Sequence, residues 1–510
     1  MSKGFTKKEA KVSAILIGII LAEKVLSFAK NIIFAYYFGA QNSTDLYYIA
    51  TNIVSLFNVC FCVSIPMAFL TVFINKGLRE AEPKKQEMVM SNTVSAFLVI
   101  AAIFTAILFI AAPVFENIIS PTTSTDPNER LAVYIRILSF IVILYCLSGL
   151  FSSSLECLGD YIPSKLSSLF VSFAAVMAAV LFGRKYGTIV AVYGFLVGIG
   201  IHAVFSFFLL RRQRKVRLKK PSYDENVKAI LKLSLPMMVS VAVTSINSLV
   251  DKLIAVKIGE GAVSALNYSS LLSRELVTGV LVAAVSSIVT ARFSENVLHK
   301  EYDALNKNMN VVIYIMSLAV VPLTVFYFTC ANGIIGFVFE RGAFDASAHD
   351  LTVAAFIGYS FGLIFLPFRE VFLRIQYAYQ DSKNPMRISI ISVAVNIVLS
   401  IGLGFAFGII GVSIATSIAT VTNCVLSYIS IKKAKIVDIK IDWMMFAKLL
   451  INGVIVYGFT MLLSTVIPNN TFIGLVIYGL FILAGFIILS YITNQKMFAS
   501  ALAILKRKKG

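Results

Sequence analysis

Charge is what this sequence has least of: 14% of its 510 residues are Asp, Glu, Lys or Arg, and only 26 of those are acidic. Soluble domains carry about a quarter charged residues, so a chain that is 58% hydrophobic with a mean hydropathy of +0.86 reads as a polytopic membrane protein. Histidine is scarcer still. Two of the three, His299 and His349, lie in connections, and the six cysteines all fall within apolar runs without ligand spacing. That excludes a zinc site and a disulfide framework and leaves the cysteines as small packing residues. No Gly-x-x-x-x-Gly-Lys-Ser/Thr loop occurs, which excludes direct coupling to ATP hydrolysis. No nucleophile–base constellation stands out either. The longest connections, near 113–130, 211–228 and 332–346, are too short to house a catalytic domain, so the chain reads as no enzyme. Strand periodicity is absent, which excludes a barrel. The first apolar run is too long for a secretory leader and no small-residue cleavage site follows it, so it reads as a retained helix.

Long apolar runs are what the chain has instead. Fourteen stretches qualify: 12–38, 44–75, 88–112, 131–157, 162–182, 188–210, 229–256, 265–293, 309–331, 347–378, 386–407, 409–431, 445–467 and 471–492. The net charge of +19 is distributed unevenly between them. Even-numbered connections and both termini take most of the Lys and Arg, above all RRQRKVRLKK at 211–220, and the opposite connections take about five. This is the positive-inside bias. It places both termini in the cytoplasm, with contact to anionic lipid headgroups as a second use of the same residues. Nucleic acid is not expected as a partner.

The first run carries charge where a membrane helix should not. At 100° per residue Glu23, Lys24, Ser27, Lys30 and Asn31 fall within an arc of roughly 120°. Each charge at the centre of a lipid-facing helix costs about 2.5–3.5 kcal/mol, so this stripe must face protein or water. The chain also repeats itself. LECLGDYIPSKLSSLFVSFAAVMAAVLFGRKYGTIVAVYG at 155–194 is similar to IQYAYQDSKNPMRISIISVAVNIVLSIGLGFAFGIIGVSI at 375–414, with Pro163 and Pro385 222 residues apart. Gly39 and Gly259, closing the first and seventh runs, are 220 apart. A duplicated six-helix unit follows, its copies sharing one membrane orientation about a pseudo-twofold along the membrane normal. The expected divisions are 1–220, 221–440 and an appended helix pair with a basic tail at 441–510. The expected fold is thus all-α: about fourteen transmembrane helices in two six-helix lobes plus a C-terminal pair.

Intramembrane charge recurs in both copies, on the first, second, fourth, seventh, eighth and tenth runs, and is expected to meet in a central cavity. Cations there suit a diphosphate through charge-assisted hydrogen bonds. The candidate substrate-binding residues are Lys24, Lys30, Asp45, Arg274, Arg369 and Arg374. Candidate gating pairs draw on Glu23, Arg136, Lys252, Glu275 and Glu370, and Glu156 and Asp251 complete the acidic set. A bland alternative is that these pairs merely lock helices together.

Two segments carry a resemblance to a known family. KVLSFAKNIIFAYYFGAQNSTDLYYIA at 24–50 and FERGAFDASAHDLTVAAFIGYSFGLIFLPFREVFLRIQYAYQDSKNPMRI at 339–388 resemble the MurJ (MviN) lipid II flippases, within the multidrug/oligosaccharidyl-lipid/polysaccharide exporter superfamily. The resemblance implies fourteen helices and the translocation of an undecaprenyl-diphosphate-linked peptidoglycan precursor across the bacterial cytoplasmic membrane by alternating access. It places Lys24 and Lys30 where the family has arginines, Asp45 on a family aspartate, and Arg274 a few residues from an eighth-helix arginine. Asp251, Asn396 and Thr416 resemble positions that form a sodium site in the family, but Ser400 stands where some members have a carboxylate. Leu56 to Phe61 depart from the family's second helix, which continues with an arginine and a Glu-Gly-Ala-Phe segment. Implied partners are the lipid-linked glycan, membrane lipids and proteins of cell-envelope synthesis. No cofactor is implied beyond Na⁺ or the membrane potential as driving force. Another polyprenyl-diphosphate-linked glycan as cargo, cation-coupled drug export and a non-transporting scaffold are the alternatives.

Overall fold

The computed structural model describes residues 7–119, 131–279, 292–379, 381, 383–433 and 439–506. The later part of the 265–293 run, Gln380 and Ser382 of the repeated turn, and the basic tail from Arg507 lie outside the described residues. Those described form helices and no strand, as the hydropathy requires: a lipid-embedded segment must satisfy its own backbone. In chain order they are α1 (Lys7–Phe38), α2 (Asn42–Val59), α3 (Ile65–Asn75), α4 (Pro83–Ile119), α5 (Leu131–Cys157), α6 (Ile162–Tyr186), α7 (Ile189–Gln213), α8 (Glu225–Ile258) and α9 (Ala262–Ser270). Next come α10 (Tyr302–Phe339), α11 (Ala346–Ser360), α12 (Leu366–Ala378), α13 (Lys383–Phe407), α14 (Ile409–Lys433), α15 (Trp443–Leu463), α16 (Phe472–Thr493) and α17 (Gln495–Lys506).

Ten helices among the described residues are long and apolar enough to cross a membrane, or eleven if the bent pair α2 and α3 is one span. A full count of fourteen spans is therefore not established, although α1, α8 and α9 give helix to the remaining runs. Two spans are broken by π-turns, Cys60–Ser64 between α2 and α3 and Leu271–Glu275 after α9. A 3₁₀ turn, Phe361–Phe365, separates α11 from α12, which has proline in its first turn.

The backbone divides into two compact units: Met1–Val256 with Arg341–Phe344, and Lys257–Glu340 with Asp345–Gly510. The repeat offsets mark a division near residue 220, whereas contact keeps most of α8 with the first unit. Lys76 Nζ donates to Asn226 Oδ1 at 2.8 Å and Ser248 Oγ to Asn52 Oδ1 at 3.0 Å, tying α8 to α2 and the end of α3. Arg341–Phe344 belongs there because the Ala343 N–H donates to the Tyr36 carbonyl at 2.9 Å.

The duplication is visible in hydrogen bonds. Asp160 N–H donates to the Leu155 carbonyl at 2.9 Å, and Asp381 N–H to that of Gln376 at 3.0 Å. Each aspartate then caps the next helix, accepting from Ile162 N–H at 3.3 Å and from Asn384 N–H at 3.1 Å. Gly187 and Gly408, at φ +65° and +69°, turn the chain between α6 and α7 and between α13 and α14, where a side chain would be strained. Asn92 on α4 brackets Ser222, donating to its carbonyl at 2.8 Å and accepting its N–H at 2.9 Å. Asn310 on α10 does the same for the second connection, donating to the Lys440 carbonyl at 2.8 Å and accepting Asp442 N–H at 2.9 Å.

Within the first unit α5 and α7 run parallel and stay in register. Tyr134 with Thr188 (2.6 Å), Ser148 with His202 (2.7 Å) and Ser152 with Ser206 (3.2 Å) all pair at a separation of 54 residues. His202 also reaches the Pro163 carbonyl at 2.9 Å, so this buried histidine is a satisfied structural residue. Small residues let α6 and α7 close on each other, as membrane helices lacking a hydrophobic drive to associate require. A Cβ on Gly198 would stand 2.6 Å from Val171 Cα, whereas one on Gly200 would have only Leu144 Cδ1 nearby, at 3.8 Å. Gly198→Ala is accordingly expected to lose about 1–3 kcal/mol of stability through overpacking. Gly200→Ala should be neutral, and apparent melting temperatures of the two purified variants check the contrast.

In the second unit the C-terminal pair docks on α10. Thr329 meets Thr460 at 3.2 Å, and Asn469 Nδ2 donates to the Thr329 carbonyl at 2.8 Å. These helices lie outside the duplication and still share its packing surface.

Candidate functional site

Two groups of polar and charged side chains interrupt the apolar spans, one in each unit. In the first, α1 presents its stripe as the helical arc requires. Lys24 pairs with Glu23 at 3.5 Å, two turns before Lys30, which sits 5.9 Å from the centroid of the Phe34 ring. Asn31 is buried and accepts from the Tyr48 hydroxyl at 3.3 Å. Tyr48 in turn faces α8, with Lys252 Nζ 5.8 Å from its ring centroid. Asn52, one turn further along α2, donates to the Tyr48 carbonyl at 3.0 Å and accepts from Ser248 of α8. Asp251 and Lys252 are only 7% and 8% exposed. Ions that deep in an apolar span persist only with polar partners, and this thread of α1, α2 and α8 supplies a polar surround. Asp45 is buried in the first turn of α2, where a carboxylate is favoured by the helix N-terminus.

In the second unit Glu370 is buried between two guanidiniums of its own helix, Arg369 at 3.8 Å and Arg374 at 3.6 Å. The triad is cationic overall. Arg369 also lines a small pocket with Arg274, Tyr359, Gly362, Thr416 and Ser417. Arg274 belongs to the π-turn after α9, is exposed, and lies 6.0 Å from the centroid of Tyr359. The floor of the pocket is the 3₁₀ turn. Ser417 Oγ accepts the Gly362 N–H at 3.0 Å and donates to the Gly358 carbonyl at 2.7 Å, so backbone groups freed by the break are satisfied.

Other sequence candidates fall elsewhere. Arg136 is exposed on α5 and stacks over Phe109 of α4 at 5.4 Å; among the described residues no carboxylate pairs with it. Glu275 is exposed and accepts from Ser270 at 3.2 Å. Glu156 is partly exposed near the end of α5. Of the sodium-site candidates, Asn396 Oδ1 accepts from Ser400 at 3.3 Å, and Thr416 donates to Val412 C=O at 3.4 Å beside the Arg274–Arg369 pocket. Asn52, Ser248, Tyr359 and Ser417 were not legible as site residues, because neutral residues in apolar runs carry no signal until their partners are known.

The family described as "Lipid II flippase MurJ" matches residues 34–482, most of the chain. This chain belongs to the MurJ family of lipid II flippases. Similar relatives include the probable lipid II flippases MurJ of Treponema pallidum (strain Nichols), 24% identical over 84% of this chain and 83% of that protein, and of Buchnera aphidicola subsp. Schizaphis graminum (strain Sg), 23% identical over 90% of each. A solved "Lipid II flippase MurJ, inward closed conformation" superposes with a TM-score of 0.81 at 22% identity, covering 95% of this chain and all of that one. An inward-facing MATE multidrug resistance transporter of the MOP superfamily follows at 0.65 and 14%, covering 83% and 98%. This chain shares its fold with both of those structures.

Proposed function

We propose that this chain moves lipid II from the inner to the outer leaflet of the bacterial cytoplasmic membrane by alternating access, with both termini in the cytoplasm and no chemistry done on the cargo. The observation that carries this reading is the cations set into apolar spans of both units, Lys30 and Lys252 among the charge-balanced group of the first and Arg274 with the net-cationic Arg369–Glu370–Arg374 triad of the second. A diphosphate offers several acceptor oxygens to such groups, and arginine can hold two at once. The polyprenyl tail stays in hydrocarbon, where burial is favourable without protein help. Na⁺ or the membrane potential supplies the driving force. An anion leaving a negative interior gains about 2.3 kcal/mol per charge per 100 mV.

Depletion of this protein in its host is expected to make lipid II accumulate on the cytoplasmic side, measured by accessibility of its headgroup in intact cells and spheroplasts. An unchanged lipid II pool with a different lipid-linked glycan accumulating, or with only a drug-sensitivity phenotype, would overturn the cargo.

A further inference from the structure

The first unit holds a second cationic feature that the transport cluster does not use. A cleft of about 790 Å³ opens between α5, α7 and the basic connection after α7, a volume typical of ligand clefts. Its walls are apolar: Leu144, Leu147 and Phe151 on α5, and Gly200, Val204 and Phe207 on α7. Its mouth is cationic, with Arg211, Lys215 and Arg217 all lining it and all exposed. The cleft lies on the outer side of α5. Gly149 of that helix packs against Pro66 and Phe61 of the second span, and at 100° per residue it stands roughly opposite the face formed by Leu144, Leu147 and Phe151.

The cations are held in place by backbone, leaving their side chains uncommitted. Lys215 N–H donates to Glu87 Oε1 at 2.8 Å, Arg217 N–H to Ser91 Oγ at 3.1 Å and Lys219 N–H to Ser95 Oγ at 2.9 Å. Alternate residues of an extended strap thus meet successive turns of α4. Arg214 Nε adds a bond to Gln86 Oε1 at 2.8 Å. Among the described residues no carboxylate forms an ion pair with Arg211, Lys215 or Arg217, and Arg211 rests 5.9 Å from the Phe207 ring centroid. A second cleft of about 540 Å³ between α6 and α7 has no charged residue in its lining, so apolar shape alone does not explain the first.

We infer that this cleft is a binding site for one anionic glycerophospholipid of the leaflet that the basic strap faces. The lipid's phosphodiester meets Arg211, Lys215 and Arg217, and one of its acyl chains lies along α5 and α7 over Gly200. Charge complementarity at the mouth and an apolar slot with a residue-free floor at Gly200 commit the site to a headgroup and a tail together. The strap joins α7 to α8, the helix that carries Asp251 and Lys252, so lipid bound here bears on the placement of that helix.

Native mass spectrometry of the full chain, titrated with phosphatidylglycerol and with phosphatidylcholine, tests this. The wild type is expected to retain one phosphatidylglycerol in about tenfold or greater preference, the scale of one or two cation contacts at a membrane surface. R211Q/K215Q/R217Q should lose the preference for the anionic headgroup, and G200L should lose the retained lipid while keeping all three cations. Arg217→Gln alone substitutes if the triple variant is not monodisperse. Equal retention of the two lipids by the wild type, or a preference unchanged in both variants, would overturn the site. So would displacement of phosphatidylglycerol by undecaprenyl diphosphate, which would make the cleft a substrate-tail groove.

Discussion

Glu370→Ala is expected to be among the most damaging single substitutions in the chain. The side chain is 7% exposed and is the counter-ion of both Arg369 and Arg374. Removing it takes from two neighbouring guanidiniums inside a membrane span the carboxylate that lies beside both. Breaking a buried ion pair from one side costs about 3–5 kcal/mol, because the remaining charge keeps its desolvation penalty. Arg369 is partly exposed, so most of that loss falls on Arg374, whose side chain is 13% exposed. The variant should show a lower apparent melting temperature in detergent and poor recovery of monodisperse protein. Glu370→Leu with Arg374→Met removes both signs of charge and should recover stability while transport stays lost. Full stability of Glu370→Ala would mean that water already reaches the triad.

Lys30→Ala and Lys252→Ala are expected to lower transport strongly, and Lys30→Ala to do so with the protein still folded, a different signature from Glu370→Ala. A hydrogen bond to a charged group is worth about 1.5–3 kcal/mol, so losing one contact to a diphosphate lowers transport by a factor of roughly 10–150. Lys30 is a graded test because charge and hydrogen-bonding geometry can be changed separately there. Lys30→Arg should keep activity, since guanidinium grips phosphate at least as well, and Lys30→Gln should behave like alanine. Lys252 is the stricter case. It is 8% exposed beside Tyr48 and Asp251, so Lys252→Arg is expected to retain less activity than Lys30→Arg. Complementation of a conditional flippase mutant, with membrane levels measured in parallel, reads both. Growth supported by Lys30→Ala and Lys252→Ala at wild-type levels would remove the first-unit cluster from the mechanism.

The two clusters are built by different means. The Arg369–Glu370–Arg374 triad is local: Glu370 and Arg374, four apart, share a helix face, and Arg369 is the sequence neighbour of Glu370. The polar thread of the first unit is long-range, running from Asn31 to Tyr48, to Asn52 and on to Ser248, 196 residues beyond Asn52. A lone polar residue in an apolar helix has many potential neighbours, and only packing chooses among them. Arg136 shows the same limit from the other side. Its charge within an apolar run gave it the look of a gating residue, yet it lies over the face of Phe109.

The sequence by itself determined the class of this protein, its duplicated plan and its family. Hydropathy is a property of each run taken alone, the lysine and arginine bias a property of each connection, and the repeat offset a property of the chain; none needs a partner in space. The tertiary structure alone decided which charges are paired, which face aromatic rings, and where the basic strap after α7 lies. The energy of a charge in a membrane depends on what stands within a few ångströms of it, and those neighbours come from helices far apart in the chain.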